Sequence, residues 1–174
     1  MVGYMSLEEQ VDADFTRARR RAFLRRISAR LRKGRTPNHL ACFEEVSNKV
    51  GAVGGIRRGR RTVRLADIVG SVSRCSEFDR SFFPLRESAR TKWKRMDRAF
   101  HRGEELPPVT LYRVGSFYFV LDGHHRVSVA RYHGVEWTDA DVTEFQTPLP
   151  KDRKYERCPI HHHPTTGMKG TVRT

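Results

Sequence analysis

The sequence predicts an α+β protein in which a small mixed β-sheet packs with helices and a basic helical extension precedes the sheet. Apolar runs at residues 62–65, 109–114 and 117–121 have the length and the β-branched or aromatic content of strands. Residues 84–102 carry apolar side chains at helical spacing. The two-residue connection Gly115-Ser116 indicates a hairpin between the last two runs.

Composition narrows the domain count and the class of partner. At 174 residues, with 37% hydrophobic and 31% charged residues, the chain has room for one domain with a modest core and polar flanks. The formal net charge of +14 favours a polyanion, chiefly nucleic acid, over neutral or acidic partners. A surface that is basic only for solubility, or for association with ribosomes, is the alternative.

Cysteine usage and the absence of a long apolar run predict a cytoplasmic protein. Cys42, Cys75 and Cys158 are odd in number and have no CxxC spacing, so we expect neither a disulfide framework nor a structural zinc site. No apolar run reaches the ~20 residues of a membrane span, so no membrane partner is expected. The N-terminal residues are acidic and lack the apolar segment of a secretory signal, so no such signal is expected.

Residues 6–33 are predicted to form one long helix. Ser6 can cap its start, with Glu9 as the capping-box partner. No acidic residue lies between Phe15 and Phe43, although this span is rich in arginine. Unpaired arginines indicate a contact with a DNA or RNA backbone, with a membrane-surface helix and a solvated face as alternatives. One apolar stripe is expected to pack the helix on the domain: Val11, Phe15, Ala18, Ala22, Phe23, Ile27 and Leu31.

A glycine- and arginine-rich segment, residues 51–61, follows a second short helix predicted for residues 39–50. Its four glycines and four arginines predict a mobile basic loop or arm that enters a minor groove or wraps phosphates, with a plain linker as the alternative. No Gly-Lys-Ser/Thr follows, so the segment is not a P-loop. The residues predicted to contact nucleic acid are Arg17, Arg19, Arg20, Arg21, Arg25, Arg26, Arg57, Arg58, Arg60 and Arg61.

The functional prediction depends on the turn after the third apolar run. A strand that ends at Asp122, a glycine and a helix that begins at His124 point several backbone N–H groups at one place. Histidine and arginine side chains there would complete a compact anion site. The residues predicted to bind a phosphate are Gly123, His124, His125 and Arg126.

Each residue of this turn has a structural and a functional interpretation. Asp122 caps the helix, or serves as a metal ligand or general base. One histidine would donate to phosphate and the other would hold structure, and the pair is expected to titrate near neutral pH. Gly123 permits a conformation or a close approach that a Cβ would block. Arg126 is the expected main ligand, since a guanidinium can hold two phosphate oxygens.

Three segments together resemble the ParB/sulfiredoxin superfamily: TVRL-ADIV at residues 62–69, VTLYRV at 109–114 and FYFVLDGHHRVSVARYHG at 117–134. The resemblance covers residues 61–146. It implies a ParB/sulfiredoxin-like fold, a bacterial origin and a turn that holds the phosphates of ATP or CTP, with Mg²⁺ as a cofactor.

The turn motif matches two branches of that superfamily in part. The Asp-Gly-His-x-Arg pattern of free-serine kinases is matched by Asp122, Gly123, His124 and Arg126. The Gly-Cys-His-Arg turn of sulfiredoxins is matched by Gly123, His125 and Arg126. His124 takes the place of the sulfiredoxin cysteine, so reduction of a sulfinic acid is not expected. The second arginine cluster of ParB proteins is missing, and no helix-turn-helix domain follows.

Three segments are expected from these patterns. Residues 1–60 form the basic helical extension and arm, residues 61–146 form the ParB/sulfiredoxin-like domain, and residues 147–174 form a disordered tail. Histidines 161–163 beside Cys158 could bind metal adventitiously, and we assign no metal ligand from the sequence. Another strand or strand pair is expected between the turn and the tail.

Three functions are compatible with the sequence. The first is a ParB-like nucleotide-binding protein that associates with DNA through its basic helix and arm. The second is a phosphoryl-transfer or hydrolytic enzyme, namely a small-molecule kinase, an NTPase or a nuclease. The third is an interaction domain whose turn is vestigial. The oligomeric state is left open, a homodimer included. The candidate catalytic residues are Asp122, His124, Glu77 and Asp79, the last two from an irregular connection predicted for residues 71–83.

Overall fold

The computed structural model describes residues 5–31 and 38–148, which form a mixed six-stranded sheet and helices. This confirms the predicted α+β class with a mixed sheet. The helices are α1 (Leu7–Leu31), α2 (Phe43–Val50), α3 (Arg90–His101) and α4 (His124–Tyr132), with 3-10 turns at Leu65–Asp67 and Glu87–Ala89. The strands are β1 (Ala41–Cys42), β2 (Val53–Arg64), β3 (Ile68–Ser71), β4 (Val109–Val114), β5 (Phe117–Asp122) and β6 (Trp137–Gln146).

The sheet has the strand order β1-β3-β5-β4-β6-β2. Strands β1, β3 and β5 are parallel, β4 pairs antiparallel with β5 and parallel with β6, and β2 pairs antiparallel with β6 at the edge. The predicted hairpin joins β4 to β5, and Gly115 there adopts the left-handed φ of 60° that such a turn needs. Because β3 and β5 are parallel, Ser71 at the end of β3 lies beside the end of β5, from which α4 begins.

Helices and loops bury apolar side chains on both faces of the sheet. One face packs against Val127 of α4 and against Phe78 and Phe82, which lie in the long connection after β3. The other face packs against α2, whose Phe43 contacts the rings of Tyr112, Phe119 and Phe145. A third cluster joins α1, α3 and α4 through Phe15, Trp93 and Val129. This third cluster anchors α1 to the domain by apolar burial.

Helix α1 confirms the predicted long helix but corrects its apolar stripe. Its N-terminus has the expected reciprocal bonds between Ser6 and Glu9. The packed face ends at Ala22, whereas the predicted continuation is exposed: Phe23 is 60% exposed, Ile27 40% and Leu31 81%. A helix rotates about 100° per residue, so these three side chains lie roughly opposite to the packed face.

The predicted mobile arm at residues 51–61 is wrong, because most of it belongs to the twelve-residue strand β2. Gly51 instead ends α2 with a left-handed φ of 60°. The strand pairs with β6 from Val53 to Arg64, with register shifts between Val53 and Gly55 and between Arg57 and Gly59. Gly54 and Arg58 are the extra residues of two bulges in this ladder, and Gly54 and Gly59 adopt the positive φ values found there. The domain boundary expected at residues 60/61 falls inside this strand.

The expectation of free cysteines is wrong for two of the three. Cys42 at the end of β1 and Cys75 after β3 form a disulfide, with Cα atoms 5.5 Å apart. The pairing arises because β1 and β3 are parallel neighbours, and Cys42 lies opposite Ser71. Spacing along the sequence carries no signal for it, since the two cysteines are 33 residues apart.

Other elements differ from the sequence predictions mainly at their ends. Helix α3 begins at Arg90 and not at Pro84, and β3 was not among the predicted strands. The region expected to contain one strand or a strand pair before the tail is the single strand β6. Within the described residues no helix combines the length and the apolar character that a membrane span requires. The predicted disordered tail lies outside the described residues, apart from its first two positions.

Candidate functional site

Gly123 shapes the turn between β5 and α4. Its φ of 97° lies in the left-handed region, which side-chain-bearing residues rarely adopt. A Cβ here would lie 2.7 Å from Cγ1 of Val109 and 3.1 Å from the Arg126 guanidinium. The turn therefore requires glycine, as predicted, and the reason is contact with the protein's own side chains.

Arg126 is held by internal partners. Its Nη2 donates to Oδ2 of Asp122 at 2.7 Å, and its Nη1 donates to the carbonyl oxygens of Pro107 and Pro108, the latter at 2.8 Å. The side chain is only 14% exposed. The guanidinium thus clamps the turn to the segment that leads into β4. Phosphate binding by Arg126 stays a prediction, and it would require exchange of these partners.

Asp122 does not cap α4. The N-cap residue is Gly123, without a side-chain cap hydrogen bond, and the carboxylate of Asp122 pairs with Arg126 instead. The Asp122 side chain is 75% exposed. Its position beside the helix N-terminus is as predicted, but its structural role is to orient the guanidinium.

His124 is buried and bonded to the neighbouring strand. Ser71 Oγ accepts the backbone N–H groups of Ser73 and Arg74, which leaves its own proton to donate to Nε2 of His124 at 2.7 Å. Burial, with the charge of Arg74, lowers the pKa of His124 to about 4. The ring is neutral at pH 7 and ties α4 to the end of β3. Because Ser71 and His124 are both buried, this pair is not an accessible nucleophile and base.

His125 is also neutral at pH 7. Its ring packs edge-on to Phe78 at 5.5 Å, and burial, with the charges of Arg74 and Lys92, lowers its pKa to about 4. The prediction that the histidine pair titrates near neutral pH is therefore wrong. Desolvation and nearby cations oppose protonation of both rings. His125 Nδ1 is a buried atom without a hydrogen-bond partner among the described residues.

The two acidic residues predicted to complete the site have different surroundings. Glu77 lies near the turn, where its carboxylate pairs with Arg74 at 3.3 Å and its charge acts on His125. Asp79 is fully buried, and its Oδ1 accepts the N–H groups of Ser81 and Phe83. Burial raises the pKa of Asp79, which acts as an anchor of its own loop. The geometry therefore gives the phosphoryl-transfer hypothesis no support from Asp79.

Strand β2 carries four of the predicted nucleic-acid contacts, all of them exposed. Every residue of the strand except Val63 is exposed. Arg58 pairs with Glu144 at 2.8 Å, whereas Arg57, Arg60 and Arg61 have no carboxylate partner among the described residues. The backbone of this edge strand is held by its pairing with β6, while three of its guanidinium groups have no ion-pair partner in the described part of the chain.

On α1 the predicted contacts divide into paired and unpaired arginines. Arg17 pairs with Asp14 at 3.3 Å, Arg19 with Glu87, and Arg25 lies 4.0 Å from the buried Asp79. Among the described residues no carboxylate pairs with three exposed arginines of this helix: Arg20, Arg21 and Arg26.

A groove of about 290 Å³ lies between α1 and the segment before α3. Four arginines line it, together with the exposed ring of Phe23. The guanidinium groups of Arg19 and Arg90 share Glu87 as a partner. The excess of cations gives the groove a positive potential, and two of the arginines without carboxylate partners, Arg20 and Arg26, line it.

A cluster that the sequence analysis missed lies where α1, α3 and α4 meet. Asp14, Asp97, His101 and His133 place one ligand atom each within 4.8 Å of all the others. Asp97 and His101 are one helical turn apart, which is the only local signal that the sequence contains. Asp14 and His133 come from distant segments, so their approach depends on packing.

Comparisons of this chain with protein-family models, with curated proteins and with solved structures found no match. The resemblance to the ParB/sulfiredoxin superfamily therefore stays a prediction drawn from the turn motif and the strands around it.

Proposed function

We propose that this protein binds the phosphate backbone of nucleic acid, with duplex DNA as the favoured form, through the exposed arginines of β2. The observation that carries the proposal is the set of three arginines on this edge strand without carboxylate partners: Arg57, Arg60 and Arg61. A protein that neutralises phosphates with arginine releases counterions, which supplies most of non-specific affinity.

The strand supports this proposal better than a mobile arm would. A strand rises about 3.3 Å per residue, so Arg57 and Arg61 lie within roughly 13 Å of each other along β2. Their backbone is held by the ladder with β6, so little chain entropy is lost when they bind. The unpaired arginines of α1 supply a second contact surface for the same polyanion.

The ParB/sulfiredoxin-like architecture belongs to this proposal. It is supported by the mixed sheet and by the passage from β5 through Gly123 into α4. In this proposal ATP or CTP with Mg²⁺ is a regulatory ligand of the turn, bound by the amides at the start of α4 after Arg126 exchanges its partners.

A plain structural role for the β2 arginines is the competing explanation. Charged side chains on an edge strand prevent pairing with other chains. That role requires charged side chains on the strand, but it does not require them to bind a polyanion. The two explanations differ in whether these positions matter more for DNA binding than equally charged positions elsewhere.

Charge reversal at matched positions separates these explanations. In the triple variant Arg57→Glu, Arg60→Glu and Arg61→Glu, we expect weaker binding to a duplex and a log Kd against log salt slope reduced by up to about 3. The control reverses three exposed cations around α3 that also lack carboxylate partners in the described region, and so changes net charge equally: Arg86→Glu, Lys92→Glu and Arg95→Glu.

The titration is measured by fluorescence anisotropy on duplex DNA, single-stranded DNA and duplex RNA at several salt concentrations. A larger loss in the β2 variant than in the control supports the proposal. Equal losses would show that only bulk charge attracts DNA, and failure of the parent chain to bind any of the three would reject the function. The triple variant Arg20→Glu, Arg21→Glu and Arg26→Glu tests the second surface in the same assay.

A further inference from the structure

Two carboxylates and two imidazoles meet at the junction of α1, α3 and α4. Asp14 Oδ2 lies 3.1 Å from Nε2 of His101, Asp97 Oδ2 lies 3.7 Å from the same nitrogen, and Asp97 Oδ1 lies 2.7 Å from Nε2 of His133. Asp97 is completely buried, and Asp14 is only 5% exposed. Asp14 comes from α1, Asp97 and His101 come from α3, and His133 directly follows α4.

Buried carboxylates need a compensating cation. Taking an ionised carboxylate out of water costs several kcal/mol unless it is paired or coordinates a metal. Asp97 Oδ2 has no hydrogen-bond partner among the described residues, although it faces the cluster. This unsatisfied oxygen is a second, independent sign that the cluster holds more than its own four side chains.

The distances suit one small cation. Four ligands at the ~2.0–2.1 Å bond lengths of zinc sites lie about 3.3 Å apart in a tetrahedron. Asp14 Oδ2 lies 3.1 Å from His101, the two oxygens of Asp97 lie 3.7 Å from His101 and 2.7 Å from His133, and one ligand atom of each residue lies within 4.8 Å of the other three, so a small inward movement would complete the tetrahedron. Two carboxylates neutralise a divalent ion, and imidazole nitrogens favour zinc-type transition metals over Mg²⁺ or Ca²⁺.

Neighbouring groups orient the ligands. Asp14 Oδ1 accepts the Tyr132 hydroxyl at 2.7 Å and the Arg17 guanidinium at 3.3 Å, which leaves Oδ2 directed at the cluster. The His133 ring stacks on Phe100 at 4.1 Å. Outer contacts of this kind fix ligand geometry in metal sites. His101 and His133 are each 17% exposed, which gives an ion a path from solvent.

We propose that Asp14, Asp97, His101 and His133 bind one divalent transition-metal ion of the zinc type, which fastens α1 to α3 and to the end of α4. The site is structural in this proposal. All four protein side chains are used, as in closed zinc sites. Nucleic-acid binding and this site are independent claims, because they rest on different residues.

Metal titration of the full-length chain tests the proposal. Histidines 161–163 are first replaced by alanine and Cys158 by serine, so that the tail contributes no ligands. We expect this chain, stripped with EDTA, to bind one equivalent of Zn²⁺ by elemental analysis and to melt at a higher temperature with it. Co²⁺ in place of Zn²⁺ should give the visible absorption of a tetrahedral ion.

Two ligand variants and one control identify the site. His101→Gln and His133→Gln should each weaken Zn²⁺ binding by more than the roughly 10–100-fold cost of an outer contact, and should abolish the melting shift. His39→Gln should bind as the parent does, because its ring lies away from the cluster and contacts the Leu40 carbonyl.

The opposite results would overturn the proposal. One is a folded parent chain, by circular dichroism, that takes up no stoichiometric Zn²⁺ or Co²⁺. Another is retention of parental affinity in both histidine variants, which would place the ion elsewhere. If a histidine variant fails to fold, Asp97→Asn is tested instead, since it keeps the shape of the side chain and removes its charge.

Discussion

His124 shows how burial changes the chemistry of a residue. The sequence placed this histidine in a turn where it would titrate near neutral pH. In the structure it lies under the end of β3, bonded to Ser71, and its pKa falls to about 4. The ordinary pKa of histidine is 6.5. Between that pH and pH 4, His124 is therefore protonated in the unfolded chain but neutral in the folded chain.

This difference predicts a pH dependence of stability. Between pH 6.5 and 4 the unfolded state binds more protons at His124, so the free energy of unfolding should fall as the pH falls. The shift corresponds to about 3 kcal/mol over the whole window. Urea denaturation at several pH values should show a flatter profile for His124→Gln than for the parent. Parallel profiles would mean that His124 is protonated alike in both states.

Arg126 gives a second prediction, which separates structure from ligand binding. Its guanidinium holds Asp122 and the carbonyls of Pro107 and Pro108, so Arg126→Ala should lower the free energy of unfolding by about 2–3 kcal/mol. Urea denaturation at pH 7 measures this loss. Arg126→Lys keeps the charge and should recover only part of it, since an ammonium lacks the fork geometry.

The same variant tests the predicted nucleotide site. Melting is followed with ATP and with CTP, each with Mg²⁺. If Arg126→Ala keeps parental stability but loses a nucleotide-dependent rise in melting temperature, the guanidinium is a phosphate ligand and the clamp is dispensable. If Arg126→Ala loses stability and the parent shows no nucleotide-dependent rise in melting temperature, Arg126 has only the structural role of the clamp.

At the level of elements, the backbones of the short parallel strands β1 and β3 approach each other closely at Gly70. Gly70 in β3 lies between β1 and β5, and a Cβ there would be 2.2 Å from the Ala41 carbonyl oxygen and 2.5 Å from Cδ1 of Phe119. Backbone cannot move aside as a flexible side chain can. This position therefore sets the spacing at the sheet edge that carries the disulfide.

Gly70→Ala should accordingly lower the free energy of unfolding by about 3 kcal/mol or more, as measured by urea denaturation. Gly55→Ala is the matched control, because it also adds a Cβ within a strand. Its nearest neighbour is the methyl group of the half-buried Thr143 on β6, at 2.9 Å, and this is a side-chain atom and not backbone. A loss at Gly55 as large as that at Gly70 would contradict the steric explanation.

The elements also differ in how well the sequence predicted them. Strands β4 and β5, their hairpin and α4 were predicted within a residue or two, because apolar runs and glycine turns are local signals. Most of strand β2 was predicted as an arm, because glycine is a poor strand former, and only its end at residues 62–64 was predicted as a strand. Pairing with β6 overrode that propensity. For the exposed half of α1, periodicity showed an apolar stripe but not which side the domain covers.

At the scale of the whole molecule, packing brings together residues that no spacing connects. The disulfide joins Cys42 to Cys75 because two parallel strands end side by side. The cluster of Asp14, Asp97, His101 and His133 forms because three helices converge. The candidate phosphate ligands, in contrast, were adjacent in the sequence, and the structure gives most of their side chains internal partners.

The sequence by itself determined the mixed α+β class, the strand–glycine–helix turn and the strongly basic charge, since these depend on local patterns and on composition. Only the tertiary structure decided which arginines stay unpaired, which histidines are neutral and where the buried carboxylates meet imidazoles. Those properties depend on desolvation and on distances between remote segments, and both are fixed only when the sheet and the helices have packed.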